Sequence, residues 1–187
     1  MNTNLIQLPS LQHRAHNIES QYLATIAEHS QFAATLQTNI KTRNVSRRLM
    51  EMHKERASRS LHQLRIRFNR AVTGNGWRRK PQYTPIFVAS LEGSINTYDR
   101  HKTLHYHIVI GNLFERFDQQ QVEQTLRQIW LNTEVGVDDI LVKTLDSEHR
   151  RGWTDYISKE RTRGNRDCVD YFNAQLPPSL CFGAQFK

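Results

Sequence analysis

The feature that most constrains this chain is a long stretch, residues 10–73, that contains neither glycine nor proline. These two residue types interrupt regular structure most strongly, so their absence favours long elements over loops. Apolar residues in the stretch recur three or four positions apart, which is typical of amphipathic helices. The spacing predicts two helices with a joint at residues 38–44. Their apolar residues are Ile18, Tyr22, Leu23, Ile26, Phe32 and Leu36 in the first, and Val45, Leu49, Met52, Leu61, Leu64 and Phe68 in the second.

The same region carries the positive charge of the protein. The 187 residues include 26 Lys and Arg and 18 Asp and Glu, which gives a formal net charge of +8. Residues 1–80 hold 14 of the basic residues and 4 of the acidic ones, so the remainder is slightly acidic. Cations that neutralise phosphates release condensed counterions. The asymmetry therefore predicts that the N-terminal region contacts a nucleic acid.

Several protein classes are excluded by the apolar residues and the cysteines. The longest apolar runs, at residues 86–90 and 108–110, fall far short of the roughly 20 residues that span a bilayer. The N-terminus lacks the basic segment and apolar stretch of a secretory signal. Cys168 and Cys181 form neither a disulfide framework nor a C-x-x-C zinc site. We therefore expect a cytoplasmic protein with no membrane partner.

After residue 73 the period of the sequence changes from helical to alternating. Turn residues and three consecutive cations at residues 73–82 are followed by short β-branched and aromatic runs. Asp118 is placed to cap a helix. The predicted elements are strands at 85–92, 103–112 and 139–145, and helices at 118–133 and 151–163.

This order of elements predicts an α+β fold, with a central antiparallel sheet and flanking helices, preceded by a basic N-terminal helical region. The predicted division of the chain is a helical region at residues 1–72, for DNA binding and packing, and an α+β core at residues 73–187. The sheet is expected to lie wholly within the second part.

Two histidines lie one residue apart in the second predicted strand. Side chains alternate between the faces of a strand, so His105 and His107 project to the same side and Tyr106 to the other. Glu92 ends the preceding strand and can lie beside them if the two strands form a hairpin. Two imidazoles and a carboxylate suit a divalent ion that retains open positions for a phosphate oxygen. A His-x-His pair also arises often by chance on a protein surface.

A tyrosine and a lysine lie three residues apart in the last predicted helix. Tyr156 and Lys159 therefore share one helical face. A phenolate beside an ammonium group is a plausible nucleophile for phosphodiester cleavage. Alone, the pattern would fit a packed tyrosine and a solvated lysine better.

Taken together, His105-Tyr106-His107 and the later Tyr156-x-x-Lys159 pattern resemble the HUH endonucleases, specifically the single-tyrosine initiators of rolling-circle replication. The resemblance covers residues 83–172. It implies that His105 and His107 are metal ligands, with Glu92 as the third, and that the divalent metal is Mg or Mn. It also implies that Tyr156 attacks single-stranded or origin hairpin DNA, leaving a 5′-phosphotyrosine and a free 3′-hydroxyl, and that Lys159 assists.

The pattern departs from that family because no convincing copy of the family's first motif precedes Glu92. Residue 160 is Glu rather than a second tyrosine, which disfavours the two-tyrosine initiators of the same superfamily. The Walker A pattern of a helicase is also absent. Host helicase and polymerase are therefore the expected partners for strand separation and synthesis.

The predicted DNA contacts are basic residues and one tryptophan that could stack on an unpaired base. They are Arg47, Arg48, Arg56, Arg59, Trp77, Arg78, Arg79, Lys80, Arg150, Arg151 and Arg163.

Two alternatives remain open from the sequence. One keeps the chemistry and changes the biology, as a single-tyrosine transposase or a relaxase. The other is a non-catalytic basic helical DNA-binding protein in which the histidine pair is incidental.

Overall fold

A computed structural model describes residues 11–93, 103–146, 150, 152–153 and 168–181. The helices are α1 (Leu11–Glu28), α2 (Arg47–Thr73) and α3 (Gln119–Trp130), and the strands are β1 (Ser30–Lys41), β2 (Ile86–Glu92), β3 (Thr103–Gly111) and β4 (Gly136–Thr144). Short 3-10 helices lie at Gly74–Arg78, Pro81–Tyr83 and Pro178–Leu180.

The four strands form one antiparallel sheet in the order β2-β3-β1-β4. The predicted α+β class is confirmed, and so are the hairpin of β2 and β3, the helix α3 and the strand β4. Asp118 caps α3 as expected, since its side chain accepts a hydrogen bond from the Gln121 backbone, and the side-chain oxygen of Gln121 accepts one from the Asp118 backbone N–H. The helix predicted at 151–163 lies almost entirely outside the described residues.

The prediction that the first helix continues through residues 30–37 to a joint at 38–44 is wrong. This segment is β1, which lies in the interior of the sheet between β3 and β4. Phe32 and Leu36 are four residues apart, a spacing that satisfies both a helix and a strand. In the structure Phe32, Ala34 and Leu36 are buried and alternate with partly exposed residues. Hydrogen bonds from strands on both sides satisfy the backbone, so tertiary pairing overrides the local helical pattern.

The sheet therefore draws one of its two inner strands from the N-terminal region of the chain. After β1 the chain turns through Asn44, which has a positive φ of 60° that asparagine tolerates better than most residues. Ser46 then caps α2 by accepting a hydrogen bond from the Leu49 backbone. These two residues end the strand and start the helix within a short connection.

Each face of the sheet has its own apolar cluster. One face packs against α2 and α3, with Leu61, Leu64, Phe68 and Trp130 fully buried. The other face packs against α1 and the segment after β4; its cluster is Leu23, Ile26, Ala27, Ile86, Val88, Val109, Leu145, Trp153, Cys168 and Val169. Among the helices in the described parts of the chain, none has both the length and the apolar character to cross a bilayer.

The outer edge of β2 is covered by the segment at residues 168–175. The Phe87 and Gln175 backbones exchange hydrogen bonds of 2.9 and 2.8 Å, and Leu91 and Asp170 add further backbone bonds to the same pairing. The covered edge cannot recruit another strand from a second chain.

Candidate metal centre

Glu92, His105 and His107 lie together at one end of the β2-β3 hairpin. Glu92 pairs directly with His105, and Ser90 pairs with His107, so all these side chains occupy one face. The Oε2 atom of Glu92 is 3.0 Å from Nε2 of His105 and 3.5 Å from Nε2 of His107. One ligand atom from each residue lies within 4.8 Å of the others. The group can therefore hold a metal ion.

The separations fit ligands of a single ion. Nitrogen and oxygen ligands bind at about 2.0–2.2 Å, so two neighbouring ligands of one ion are about 3 Å apart. Glu92 and His105 are each 2% exposed, whereas His107 is 17% exposed. Solvent can therefore reach the cluster beside His107, whereas Glu92 and His105 are shielded from it. A carboxylate held this far from water needs a positive charge nearby.

The hydrogen bonds of the imidazoles direct both Nε2 atoms toward Glu92. Nε2 of His105 lies 3.0 Å from Oε2 of Glu92, and Nδ1 of the same ring lies 3.4 Å from the Thr103 carbonyl oxygen. The shorter contact has the geometry of an Nε2–H group that donates to the carboxylate, because a carboxylate oxygen can only accept. A bound metal ion would take the place of that proton between the two atoms.

Strand β1 supplies the residues that orient the cluster. The Thr35 hydroxyl is hydrogen-bonded to Nδ1 of His107 at 3.1 Å. The Thr103 hydroxyl donates to Oε1 of Gln37 at 3.2 Å, which connects β1 to the start of β3. Such outer partners fix the ring orientation of a histidine ligand. Thr35 and Gln37 were missed because the residues before the predicted joint at 38–44 were assigned to a helix; the alternation of apolar and polar residues there was the available signal.

Replacing Thr35 with Val should weaken Mn²⁺ binding about 10- to 100-fold, the usual effect of losing an outer partner of a metal ligand. The change removes the hydroxyl that holds His107 and preserves the side-chain volume. Thr35→Ser, which keeps the hydroxyl, should bind within a few-fold of wild type. Calorimetric titration with Mn²⁺ measures both. Equal affinity in wild type and Thr35→Val would show that Thr35 does not position His107.

Tyr106 points away from the metal cluster, as the strand alternation predicts. Its ring is fully buried and meets Trp130 edge to face, with ring centroids 6.4 Å apart. Burial raises the pKa of the Tyr106 phenol well above its ordinary value of 10.0. Tyr106 is therefore a neutral packing residue of the opposite face.

The predicted nucleophile lies outside the described residues, and so do several predicted DNA contacts. This holds for Tyr156, Lys159, Arg151 and Arg163, and for the side chain of Trp77. Arg150 is partly buried at the start of the same region.

The predicted DNA-binding arginines of α2 do not surround the cluster. Helix α2 covers one face of the sheet, and the cluster lies on the other. Arg47, Arg48 and Arg59 are exposed, whereas Arg56 forms an ion pair with Glu134 at 2.8 Å. After the helix, the exposed cations are Arg78, Arg79 and Lys80, and the Lys80 ammonium lies 5.8 Å from the centre of the Tyr83 ring.

The two ends of α2 differ in their relation to the cluster. Lys41 pairs with Thr103 at the cluster end of the sheet, and five residues, 42–46, separate the end of the strand from the start of α2. The start of α2, with Arg47 and Arg48, therefore follows the end of the sheet at which the cluster lies, although the helix covers the opposite face. The helix then runs back toward the far end of the sheet.

Comparisons of the chain with protein-family models, with curated proteins and with solved structures return no match. What the site does is inferred from its geometry and from the sequence motifs.

Proposed function

We propose that this protein is a metal-dependent endonuclease that nicks and rejoins single-stranded DNA and thereby initiates rolling-circle replication of a plasmid or phage. The observation that carries the proposal is the cluster of Glu92, His105 and His107 on two adjacent strands, partly open past His107. The sequence motif Tyr156-x-x-Lys159 supplies the nucleophile in this proposal.

The donor set favours Mn²⁺ over Mg²⁺. Mg²⁺ prefers oxygen ligands and retains several waters, whereas two of the three groups here are imidazole nitrogens. When bound, the ion polarises the scissile phosphate and so favours attack at phosphorus. Glu92 and His105, buried and fixed by backbone pairing, provide a rigid base for it.

The covalent step belongs to Tyr156 in this proposal. Its phenolate oxygen attacks phosphorus, a new phosphorus–oxygen bond forms, and the bond to the 3′ oxygen breaks. The leaving 3′ oxygen takes up a proton, and the 5′-phosphate remains on the tyrosine. Lys159, one turn along the proposed helix, stabilises negative charge on the phenolate or the phosphate. Rejoining is the same step in reverse, so no cofactor besides the metal is consumed.

The test is formation of a covalent protein–DNA adduct. Labelled single strands that tile the DNA flanking the coding sequence are incubated with protein and Mn²⁺, then separated under denaturing conditions. We expect an adduct with wild type that is lost on chelation and absent in Tyr156→Phe. Tyr171→Phe, which also removes a phenol hydroxyl, is the matched control and should retain it.

The outcomes separate the alternatives. An adduct with a hairpin from a mobile element, and none with a replication origin, would assign the same chemistry to a transposase or a relaxase. Binding of DNA without an adduct on any strand would refute the enzyme proposal and favour a non-catalytic DNA-binding protein, consistent with the exposed arginines of α2.

A further inference from the structure

A groove of about 510 Å³ lies on the outer side of α2, away from the metal cluster. It is lined by Glu55, Ser58, Arg59, His62, Gln63 and Phe172. Phe172 belongs to a turn in the segment at residues 168–175 that covers the outer edge of β2. The other lining residues belong to α2. The volume lies within the range of pockets that take small organic groups.

The Phe172 ring forms one wall of this groove and is largely open to solvent. Its exposure is 79%, the highest among the large apolar residues that the structure describes. One part of the ring contacts the imidazole of His62, with ring centroids 5.9 Å apart and planes tilted by 36°. The remaining surface of the ring is available to a planar ligand.

A polar network fixes the turn that presents this ring. The Asn173 side chain is fully buried, and its amide donates to the Ser58 carbonyl at 3.1 Å and to Oδ2 of Asp170 at 2.8 Å. The Ser58 hydroxyl donates to the same Asp170 oxygen at 2.9 Å. These buried hydrogen bonds add little to the stability of the protein, because the ring that they position remains exposed to water. They do fix the Phe172 ring in place, which lowers the entropy lost when a ligand binds.

The charge around the groove favours a polyanion. Helix α2 contains eight Lys and Arg residues and two Glu residues. Arg59 and Arg70 are exposed and lie eleven residues apart, close to one face of the helix and about 16 Å along its axis. Arg70 also lines a second cleft, of about 240 Å³, together with Ile66, Asn75, Arg78 and Arg79.

The two clefts have different chemistry. The carboxylate of Glu55 lies in the first cleft, where it disfavours a phosphate but can accept a hydrogen bond from the amino group of a base. The second cleft contains three arginines and no carboxylate among its described lining residues. The first cleft thus suits a base, and the second suits phosphates.

We propose that the outer surface of α2 binds single-stranded nucleic acid, with an unpaired base stacked on Phe172 and the backbone directed along Arg59 and Arg70. Stacking on an exposed aromatic ring accepts any base, so the site would hold a strand without reading its sequence. Because α2 covers the sheet face opposite the cluster, this site is separate from the proposed nicking site and does not depend on it.

The test measures binding of the full-length protein to a labelled oligothymidine of twelve nucleotides and to an abasic strand of the same length, with chelator present. Chelation removes any contribution from nicking, so the result is independent of the proposed endonuclease. Phe172→Ala should weaken oligothymidine binding about tenfold, the usual effect of losing one stacked base. Affinity for the abasic strand should not change, and Phe172→Tyr should restore binding.

Two further variants complete the experiment. Leu131→Ala removes an apolar side chain that is 44% exposed and lies outside the groove, so it should bind both strands as wild type does. Arg59→Gln should reduce the slope of log affinity against log salt by about one, as expected for one phosphate contact.

Unchanged oligothymidine binding in Phe172→Ala would overturn the proposal. Equal weakening of both strands would also overturn it, because the ring would then act without a base. A protein partner whose binding is lost in Phe172→Ala, together with unchanged oligothymidine binding in that variant, would assign the groove to protein recognition instead.

Discussion

Mn²⁺ should raise the unfolding temperature of the wild-type protein, and His105→Ala should abolish that rise. A ligand that binds only the folded state stabilises it by about 2.7 kcal/mol at a concentration 100 times its dissociation constant. For a chain of this size, that corresponds to an increase of roughly 5–10 °C. The effect is expected here because Glu92 and His105 form a site only when β2 and β3 are paired. A thermal melt with increasing Mn²⁺ measures it.

Two other variants distinguish loss of the metal site from general destabilisation of the fold. His105 is almost fully buried, so its loss can destabilise the fold by itself; His107→Ala, at a side chain 17% exposed, should remove the same Mn²⁺ response at a smaller cost to the apo protein. His29→Ala changes an exposed histidine outside the cluster and should leave the response intact. A full response to Mn²⁺ in both His105→Ala and His107→Ala would show that the ion binds elsewhere.

Gly136→Ala should destabilise the protein by about 3 kcal/mol or more, which places it among severe single substitutions. A Cβ atom at Gly136 would lie 2.0 Å from the Trp130 carbonyl oxygen and 2.6 Å from its carbonyl carbon. Those atoms cannot move freely, because the Trp130 side chain is fully buried and its indole donates a 2.8 Å hydrogen bond to the Gln37 carbonyl. The start of β4 and its pairing with Thr38 would have to shift.

Gly76→Ala is the matched control for this substitution. No atom lies within 4 Å of a Cβ built at Gly76, and its φ is not positive. Its stability should therefore stay within about 0.5 kcal/mol of wild type. Urea unfolding followed by circular dichroism compares the three proteins. A Gly136→Ala midpoint equal to that of Gly76→Ala would mean that the turn after α3 adapts without cost.

The positions of charge and metal ligands have a consequence for DNA. The cluster and the outer surface of α2 lie on opposite faces of the sheet, so a single extended strand cannot contact both without passing around the molecule. Arg47 and Arg48 are exposed at the start of α2, which follows the strand end where Lys41 pairs with Thr103, so in the proposed function they are the α2 cations nearest in the chain to the cluster end of the sheet. If the protein binds DNA as we propose, the N-terminal charge would act at two separate places rather than along one continuous surface.

Local sequence determined the parts of the cluster that depend on short-range geometry. Alternation along a strand places His105 and His107 on one face, whatever the rest of the chain does. Glu92 lies beside them because β2 and β3 form a hairpin. The prediction required a strand register that places Glu92 opposite the histidines, and the structure pairs Glu92 with His105. The cap at Asp118 likewise depends on residues three apart. These features could be predicted because each involves contacts between near neighbours in sequence.

Only the tertiary structure decided the role of residues 30–41. Phe32 and Leu36 fit both a helix and a strand, so their spacing could not distinguish the two. The choice was made by β3 and β4, whose pairing residues lie roughly 70 and 110 positions away along the chain. Thr35 reaches His107, and Phe172 is presented beside His62, for the same reason. Contacts between distant segments form only when the whole sheet assembles, and no local pattern in the sequence contains them.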